Sequence, residues 1–359
     1  MQSEKLIFRT DTYKYSHPSV YYEDVVNVYS YLESRGGYYG AIMFFGLQYY
    51  LKKYLEGVVV TMEDINEAEE FCKDHFGRDD VFDRAGWEEI VKVYGGKLPL
   101  HIKAVPEGMI IPTKNVLMTI VNTGGKKTRF LTNFVETLLL KIWYPITVGT
   151  QSHSIKEGII ARLVKSGDPS TIGFKCHDFG YRGVTTEEHA ALGGAAHLIS
   201  FLGTDTTAGI LMLREYYGAK MAGFSIPATE HSIICSYGNE GELDACRAFL
   251  KRYPTGTIAC VSDTRNIYNA CENIWGGALR EMVMARNGTL VVRPDSGDFY
   301  DVVPRILQIL WDKFGGEVNA KGYKILDSHV RIIQGDGMNP ESILKLHDVI
   351  NNLGWSSDN

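Results

Sequence analysis

The feature that most constrains the fold of this chain is a unit that recurs from about residue 172 onward. In each copy, a short apolar run ends in Asp or another polar residue, and a helix-like segment follows. The six runs are FKCHD (174–178), ISFLGTD (199–205), FSIPATEH (224–231), TIACVSD (257–263), TLVVRPD (289–295) and VRIIQGD (330–336). Strands that alternate with helices predict right-handed βαβ crossovers and a parallel sheet. Six copies favour an α/β barrel-like arrangement over a single open dinucleotide fold.

The first 150 residues have a mixed pattern that is typical of an α+β domain. The segments 101–105 and 116–122 are predicted strands, because they are short, apolar and extended in composition. The predicted helices are 44–55, 61–76 with Thr61 as its cap, and 130–143, which is expected to stop before Pro145. We therefore predict an α+β domain at 1–150 and a βα barrel-like catalytic domain at 151–359.

Two helix starts are predicted inside the second domain. Thr185 and Glu188 have the spacing of a capping box, so a helix is expected directly after them. The helix that follows FSIPATEH is expected at 239–253, stopping near Pro254.

Composition excludes several classes of protein. The net charge of -6 argues against a general nucleic-acid or membrane-surface binder, which usually carries a basic excess. The six cysteines form no CxxC pair and lie in apolar or helical stretches, as expected for reduced thiols in a cytoplasmic protein. The amino terminus lacks the uninterrupted apolar region of a secretory signal.

The polar residues that end the six runs are candidate ligand-binding groups. In parallel α/β folds the carboxyl ends of the strands form the ligand site, so these residues would line one binding site. Arg182 and Arg293 lie beside them, and arginine offers a planar fork of donors to phosphate oxygens. Carboxylates can accept from ribose hydroxyls or surround a magnesium-bound phosphate. A phosphorylated sugar is the ligand that fits this mixture, although any single Asp could instead cap the next helix.

Two further residues would add an aromatic ring and an imidazole to this predicted binding site. Phe179 offers a flat apolar face on which a planar aromatic ligand could stack, unless it fills the core. His231 follows Glu230, and a neutral imidazole oriented by a carboxylate can accept a proton or a phosphoryl group. The sequence has no HExxH or CxxC spacing, so no protein-held metal is expected. It also lacks the phosphate-binding motifs GxxxxGK[ST] and strand-linked GxGxxG.

Together these motifs resemble one family, the nicotinamide phosphoribosyltransferases of the type II phosphoribosyltransferase group. The resemblance runs in order through most of the chain. Its motifs are DTYKYSH (11–17), FFGLQYYLKKYL, IKAVPEG, HDFGYRG (177–183), GTDTTAG, SIPATEHS, IYNACENIWG, RPDSGD and RIIQGDG.

The resemblance implies an activity and a set of partners. It implies synthesis of nicotinamide mononucleotide and diphosphate from nicotinamide and 5-phosphoribosyl-1-diphosphate in NAD salvage, with substrate-bound Mg²⁺. It also implies a homodimer with its active sites at the subunit interface. ATP would be a co-substrate that phosphorylates His231, with Glu230 helping to orient that histidine.

The resemblance also implies roles for the remaining site residues. Phe179 and Tyr13 of the partner subunit would enclose the nicotinamide ring, and Asp205 would accept a hydrogen bond from the carboxamide. Its implied diphosphate-binding residues are Arg182, His231 and Arg293; its implied ribose-binding residues are Asp295, Gly335 and Asp336. Asp263 would line the same site with a catalytic role beside Asp295, and Asp11 in DTYKYSH is expected to bind substrate.

The sequence departs from the family pattern at its end, NNLGWSSDN. The family continues into a glycine-rich loop that holds the 5-phosphate and into a segment that completes the N-terminal domain. We expect a fragment of a longer protein; a short member completed by another chain, or one without activity, are the alternatives. Ala259 and Thr229, where some relatives carry Ser and Ala, are expected to matter little.

Three other functions are compatible with parts of this pattern. Nicotinate phosphoribosyltransferase shares the fold, but a carboxylate at position 205 would repel nicotinate. A non-catalytic ligand-binding dimer is possible if the phosphate loop is missing. A metal-dependent barrel hydrolase would require several side chains that bind a metal directly.

Overall fold

A computed structural model describes residues 5–359 of the chain. It contains two compact units. The first comprises the residues up to His153 together with Asp178–Ser200 and Thr206–Ala222. The second comprises Ser154–His177, Phe201–Asp205 and Gly223–Asn359. The predicted division into domains at residue 150 stays a prediction.

Strands and helices are mixed in the first part of the chain, and from β6 onward the strands are separated mostly by helices. The strands are β1 (Tyr29–Glu33), β2 (Ala41–Met43), β3 (Leu100–Ala104), β4 (Ile110–Pro112), β5 (Val116–Asn122), β6 (His177–Asp178), β7 (Gly203–Thr204), β8 (Ile258–Val261), β9 (Leu290–Arg293), β10 (Gly316–Val318), β11 (Lys324–Leu326) and β12 (Val330–Ile332). The α-helices are α1 (Leu47–Tyr50), α2 (Met62–Phe76), α3 (Arg84–Tyr94), α4 (Leu131–Phe134), α5 (Glu136–Leu139), α6 (Trp143–Ser166), α7 (Glu187–His197), α8 (Thr207–Tyr217), α9 (His231–Cys235), α10 (Glu242–Arg252), α11 (Ile267–Asn269), α12 (Arg280–Met284), α13 (Phe299–Phe314) and α14 (Pro340–Asn352).

Shorter helical turns connect these elements. The 3₁₀ segments are Leu6–Phe8, Thr12–Ser16, Pro18–Val20, Lys126–Thr128, Leu140–Ile142, Pro169–Phe174 and Gly180–Gly183. Leu51–Leu55 and Ala270–Ala278 are π-helical.

The first unit is built on a three-stranded antiparallel sheet in the order β1-β5-β3. The predicted strands at 101–105 and 116–122 are confirmed within one residue by β3 and β5. Helix α2 begins as predicted, with the Thr61 hydroxyl accepting from the Asp64 amide and the Asp64 carboxylate accepting from the Thr61 amide. This capping box satisfies amides that have no partner within the helix. One apolar core, centred on residues such as Trp87 and Phe134, fills the unit.

The stretch predicted as one helix at 130–143 is helical, but it is broken into short turns and does not stop before Pro145. Two single-turn helices and a 3₁₀ turn occupy that stretch, and the long helix α6 begins at Trp143 and runs through Pro145. Proline is tolerated at this point because amides in the first turn of a helix have no intrahelical acceptor. Pro145 also packs closely on Gly46, where an added Cβ would lie 2.6 Å from the proline Cγ and the φ angle is 101°.

The predicted capping box at Thr185 and Glu188 is also wrong, by one residue. Thr186 is the N-cap of α7, and its hydroxyl accepts from the amide of His189. Glu188 points to the core of the first unit, where one of its oxygens accepts from the hydroxyls of Tyr49 and Tyr54 at 2.7 and 2.6 Å. Glu188 is the second residue of α7 rather than the third, so it does not complete a capping box. Its bonds to the two tyrosines instead anchor the first turn of the helix.

The second unit contains the last four of the repeated units predicted from the sequence, while the helices of the first two, α7 and α8, belong to the first unit. Strands β8, β9 and β12 form a parallel sheet in the order β12-β9-β8, as predicted. The 224–228 segment continues the series, since Ala228 bridges Ala259 of β8 and Phe224 bridges Gly203 of β7, both in parallel. Strands β8 and β9 are almost fully buried, as expected for strands with helices on both sides.

The helices that follow these strands match the predicted pattern with one exception. Helices α11, α13 and α14 follow β8, β9 and β12. After FSIPATEH, however, a short helix α9 begins at His231 itself, before the predicted helix, which is α10. The histidine is thereby the first residue of a helix at the end of a strand segment.

Two general features concern cysteines and helix length. All six cysteines are free thiols, four of them buried. Within residues 5–359, every helix is too short or too polar to cross a membrane.

Candidate active site

The most connected of the predicted site residues lie at the carboxyl ends of β8 and β9. His231 Nε2 lies 3.0 Å from Asp263 Oδ1, and only 4% of the Asp263 side chain is exposed. The second oxygen of Asp263 accepts from the amide of Asp295 at 3.1 Å and from the hydroxyl of Ser296 at 2.5 Å. Because a carboxylate only accepts, Nε2 of a neutral His231 must carry the proton, which leaves a lone pair on Nδ1.

Arg293 and Asp295 extend this group. The guanidinium donates from Nε to Asp295 Oδ1 at 3.2 Å and from a terminal nitrogen to Oδ2 at 2.9 Å. Gly335 lies against both, since a Cβ added there would be 3.5 Å from Asp295 Oδ1 and 3.7 Å from Arg293 Nε. We call the group formed by His231, Asp263, Arg293, Asp295 and Ser296 the strand-end cluster.

A buried tryptophan, Trp275, bonds to the residue that precedes Asp263. The indole nitrogen of Trp275 donates to the Ser262 hydroxyl at 3.0 Å, and Ser262 precedes Asp263. Trp275 is completely buried and lies in the π-helical stretch Ala270–Ala278. The strand end is therefore held by the hydrogen bonds of Asp263 and by the bond from the buried Trp275 to Ser262.

Asp205 lies at the end of β7 with two partners of its own. Its Oδ1 accepts from the Ser225 hydroxyl and lies 3.4 Å from His177 Nε2. The Asp205 side chain is 41% exposed, so the remaining oxygen can meet a ligand. A half-exposed carboxylate of this kind is suited to accept a hydrogen bond from a neutral amide.

The HDFGYRG loop belongs largely to the first unit. Phe179 is 43% exposed and precedes the 3₁₀ turn Gly180–Gly183, which contains the exposed Arg182. Asp178 supports this turn, since its carboxylate accepts from the amide of Gly180 at 2.7 Å. An added Cβ on Gly180 would lie 2.9 Å from that oxygen, so this glycine provides space rather than an unusual φ angle.

Tyr13 and Asp11 lie near the amino terminus and belong to the first unit. Tyr13 is 56% exposed within the 3₁₀ turn Thr12–Ser16. Asp11 caps that turn by position, and its carboxylate accepts from Thr137 at 2.6 Å, while its amide donates back to the same hydroxyl at 3.2 Å. The Thr137 contact holds the turn that presents the Tyr13 ring.

The two remaining candidates have separate positions. Glu230 occupies the N-cap position of α9, where its carboxylate accepts from the Ser232 hydroxyl rather than contacting His231. Asp336 is exposed after β12. Among residues 5–359, no group of three or more His, Cys, Asp or Glu side chains is arranged to hold a metal ion.

Comparison with known proteins identifies the family. Residues 5–102 match the model of the nicotinamide phosphoribosyltransferase N-terminal domain, and residues 174–358 match that of the nicotinate phosphoribosyltransferase family. The chain is 46% identical over 360 residues to a nicotinamide phosphoribosyltransferase of Xanthomonas campestris, covering 99% of this chain and 76% of that protein. It belongs to the nicotinamide phosphoribosyltransferase family.

A second family member and two solved structures agree with this result. The nicotinamide phosphoribosyltransferase of Acinetobacter baylyi is 30% identical over 97% of this chain and 76% of its own length. Nicotinate-nucleotide pyrophosphorylase from Pyrococcus furiosus matches with a TM-score of 0.60 at 15% identity, over 97% of this chain and 71% of that one. Human nicotinic acid phosphoribosyltransferase matches with a TM-score of 0.61 at 14% identity, over 94% and 70%. The fold is therefore the α/β fold of the type II phosphoribosyltransferases, as predicted.

Sequence reasoning missed two residues that hold predicted site carboxylates. Ser225 and Ser296 both donate hydroxyl groups to predicted carboxylates. Ser296 directly follows Asp295 in RPDSGD, and Ser225 precedes the Pro-containing end of its segment. For Ser296, a hydroxyl beside a strand-end acid was the available signal, but serine is too common at turns for that signal to decide. Ser225 lies 20 residues from Asp205 in sequence, so no local pattern joins them.

Proposed function

We propose that this chain forms nicotinamide mononucleotide and diphosphate from nicotinamide and 5-phosphoribosyl-1-diphosphate, the nicotinamide-consuming step of NAD salvage. The names of its relatives state the activity, and the identity extends over nearly the whole chain. The observation that carries the proposal is the strand-end cluster, which joins an arginine, two carboxylates and a histidine at the ends of neighbouring parallel strands.

The reaction needs positioning and charge stabilisation rather than a protein nucleophile. As the bond between the anomeric carbon and diphosphate breaks, positive charge develops on the sugar, and the pyridine nitrogen attacks that carbon. In this proposal Arg182 and Arg293 hold diphosphate oxygens, because a guanidinium stabilises the charge that the leaving group gains. Asp295, with Gly335 and Asp336, holds the ribose hydroxyls and fixes the direction of attack.

His231 is proposed to accept a phosphoryl group from ATP. Its Nε2 donates to Asp263, so the Nδ1 lone pair is the nucleophile: a bond from Nδ1 to the γ-phosphorus forms as the bond to the ADP oxygen breaks. Asp263 stabilises the positive charge that develops on the ring. Glu230 is the N-cap of α9 and orients the histidine through the start of the helix rather than by direct contact.

Mg²⁺ is proposed to arrive on the diphosphate of the substrate. Both oxygens of Asp263 and both of Asp295 already accept hydrogen bonds, so these carboxylates do not form an open protein cage for the ion. When bound to the substrate, Mg²⁺ would supply charge neutralisation for the departing diphosphate.

A homodimer is proposed in which Tyr13 of the partner subunit stacks on the nicotinamide ring opposite Phe179. The exposed ring of Tyr13 on a well-anchored turn supports this role. A mixing experiment tests it. H231A and Y13A, each weakly active alone, should regain activity when mixed and allowed to exchange subunits, because one site of each mixed dimer is intact. Absence of regained activity despite exchange would contradict a shared site.

Asp205 is proposed to select nicotinamide over nicotinate. A carboxylate held by Ser225 and His177 can accept from a carboxamide nitrogen but repels a second carboxylate. D205N should raise the KM for nicotinamide and narrow the preference between the two substrates. An unchanged preference in D205N would contradict this role.

The decisive experiment is a product assay on the purified chain. Nicotinamide, 5-phosphoribosyl-1-diphosphate and Mg²⁺ should yield mononucleotide, measured by liquid chromatography, and ATP should raise the rate while phosphorylating His231, detected by mass spectrometry. Nicotinate serves as the competing substrate. Equal or better use of nicotinate would establish the alternative, nicotinate phosphoribosyltransferase, and phosphorylation absent in both wild type and H231N would remove the ATP step. That the enzyme works in the cytoplasm stays a prediction.

A further inference from the structure

Thr229 lies two residues before His231 and is a buried polar residue that none of the proposed steps uses. Only 4% of it is exposed. Its hydroxyl accepts from the amide of Val261 at 3.0 Å and donates to the Cys260 sulfur at 3.3 Å. A buried hydroxyl with both partners supplied by one neighbouring strand joins its own segment to that strand.

The position of this hydroxyl follows from how the strand pairing ends. The amide of Ala259 donates to the Pro227 carbonyl at 2.9 Å, and the amide of Thr229 donates to the Ala259 carbonyl at 3.1 Å. In a parallel ladder the next donor is the amide of Val261, and its acceptor would be the backbone carbonyl of residue 229. The Thr229 hydroxyl accepts from that amide instead. The side chain therefore supplies the last rung of the ladder.

A side-chain acceptor replaces the backbone carbonyl because the chain leaves the sheet at that point. Glu230 is the N-cap of α9 and His231 is its first residue, so the backbone must turn from strand to helix directly after Thr229. A rung made by a side chain closes the pairing while the backbone turns. Without it, the buried amide of Val261 would lose its partner.

The two residues joined by this hydrogen bond have the same spacing in sequence from the histidine–aspartate pair. Thr229 precedes His231 by two residues, and Val261 precedes Asp263 by two residues. We infer that Thr229 is a positioning residue, which sets the 3.0 Å contact between His231 Nε2 and Asp263 Oδ1 by joining the segments that carry them. The catalytic meaning of this inference rests on the proposed function. It also replaces the expectation that Thr at this position matters little: on this inference, relatives that carry Ala here join the two segments in another way.

Three substitutions at position 229 separate the hydroxyl from the shape of the side chain. T229V keeps a branched side chain but puts a methyl group where the acceptor was. T229A removes the hydroxyl without adding bulk, and T229S keeps it. If the hydroxyl acts, Val and Ala should give the same defect and Ser should restore the wild-type behaviour.

Thr150 provides a matched control in the first unit. It is 6% exposed, accepts from the amide of Met43 at 2.9 Å and donates to the carbonyl of Ile146 at 2.7 Å. T150V therefore removes a buried threonine hydroxyl of the same kind, and it should lower the melting temperature about as much as T229V does. His231 and Asp263 belong to the other unit.

Two measurements on the whole chain test the inference. With ¹⁵N-labelled histidine, wild type and T150V should show His231 protonated on Nε2, while T229V and T229A should show a mixture of tautomers. In the product assay, ATP stimulation and kcat should fall about 10- to 100-fold in T229V and T229A, as is typical when a group that orients a functional side chain is removed, with KM for nicotinamide changed little. T229S should match wild type in both.

The outcomes show separately whether the positioning role of Thr229 fails and whether the proposed enzymatic function fails. If the wild-type chain makes no product, the proposed function fails, and the histidine spectrum still tests the positioning role. If T229V and T229A keep the wild-type His231 tautomer and ATP stimulation while losing only the thermal stability that T150V loses, Thr229 is merely structural and the inference is overturned.

Discussion

The strand-end cluster and the 179–183 loop are held in different ways. In the cluster, functional side chains bond to one another: His231 to Asp263, Asp263 to Ser296 and Arg293 to Asp295. In the loop, the supporting bonds are made by flanking residues, while Arg182 is exposed and has no ion pair or hydrogen bond within the described part of the chain.

The two parts of the proposed site therefore obtain their precision from different sources. The geometry of the cluster is set before any ligand binds, which suits groups that must stabilise charge as it develops. The loop depends on its anchors, at Asp178 and at the first turn of α7, where Glu188 bonds to Tyr49 and Tyr54. In the proposed function, the loop binds the ring and can rely on the substrate to complete its contacts, whereas the cluster must stabilise phosphoryl and diphosphate charge and cannot.

The largest effect should come from removing the centre of the cluster. D263A leaves His231, Ser296 and the amide of Asp295 without their acceptor. We expect kcat/KM to fall about 100-fold or more, because several preorganised groups lose their orientation together. D244A, which changes an exposed carboxylate on α10, is the control. A fall of only a few-fold would mean that the cluster is not more preorganised than the loop.

The next effect concerns the loop's anchor. Burial opposes charge on Glu188, but hydrogen bonds from Tyr54 and Tyr49 outweigh it and leave the pKa of this carboxyl below its ordinary value of 4.5. The stabilisation is therefore present above pH 4.5 and is lost as pH falls through the lower folded-state pKa. E188L should cost about 2 kcal/mol of unfolding free energy at pH 7, since the O–H donors of two buried tyrosines lose their acceptor.

Urea denaturation from pH 3 to 7 measures this effect. The difference in stability between wild type and E188L should narrow at the acid end, and KM for nicotinamide should rise in E188L at pH 7. A constant difference across this range would exclude the ionised carboxylate as the anchor. A normal KM in a destabilised E188L would show that the loop does not depend on this turn.

Phe179 gives a smaller effect, confined to binding. F179A should raise KM for nicotinamide about 10-fold, because an aromatic stack contributes about 0.5–1.5 kcal/mol beyond its buried area. The value of kcat should change much less, since the strand-end cluster is untouched. F179Y is the matched variant and should stay close to wild type. If kcat fell by a larger factor than KM rose, the proposal that Phe179 binds the ring while the strand-end cluster stabilises charge would be contradicted.

The smallest effect lies outside both regions. T61A removes the capping box of α2 and should lower the unfolding free energy by about 1 kcal/mol. Both kinetic constants should remain at wild-type values at 25 °C. If T61A disturbed KM as much as F179A does, general destabilisation rather than local geometry would account for the loop variants.

The sequence predicted the strand ends well because each apolar run stops at a polar residue that the sheet geometry must place at one edge. Asp263, Asp295 and the His231 segment follow this rule. Pro145 was misread as a stop, since the sequence cannot show that it falls in a first turn without amide acceptors. Glu188 was misread as a cap because spacing alone cannot distinguish positions one residue apart. The return of 178–200 and 206–222 to the first unit depends on non-local packing that no local pattern encodes.

The buried indole of Trp275 has a practical consequence. Its N–H is bonded to the residue next to Asp263, far from bulk water, so its resonance and emission depend on the electric field at the end of β8. The other four tryptophans, at 87, 143, 311 and 355, lie elsewhere in the sequence. The protein therefore carries a built-in spectroscopic reporter of charge arriving at its strand ends, readable without any attached label.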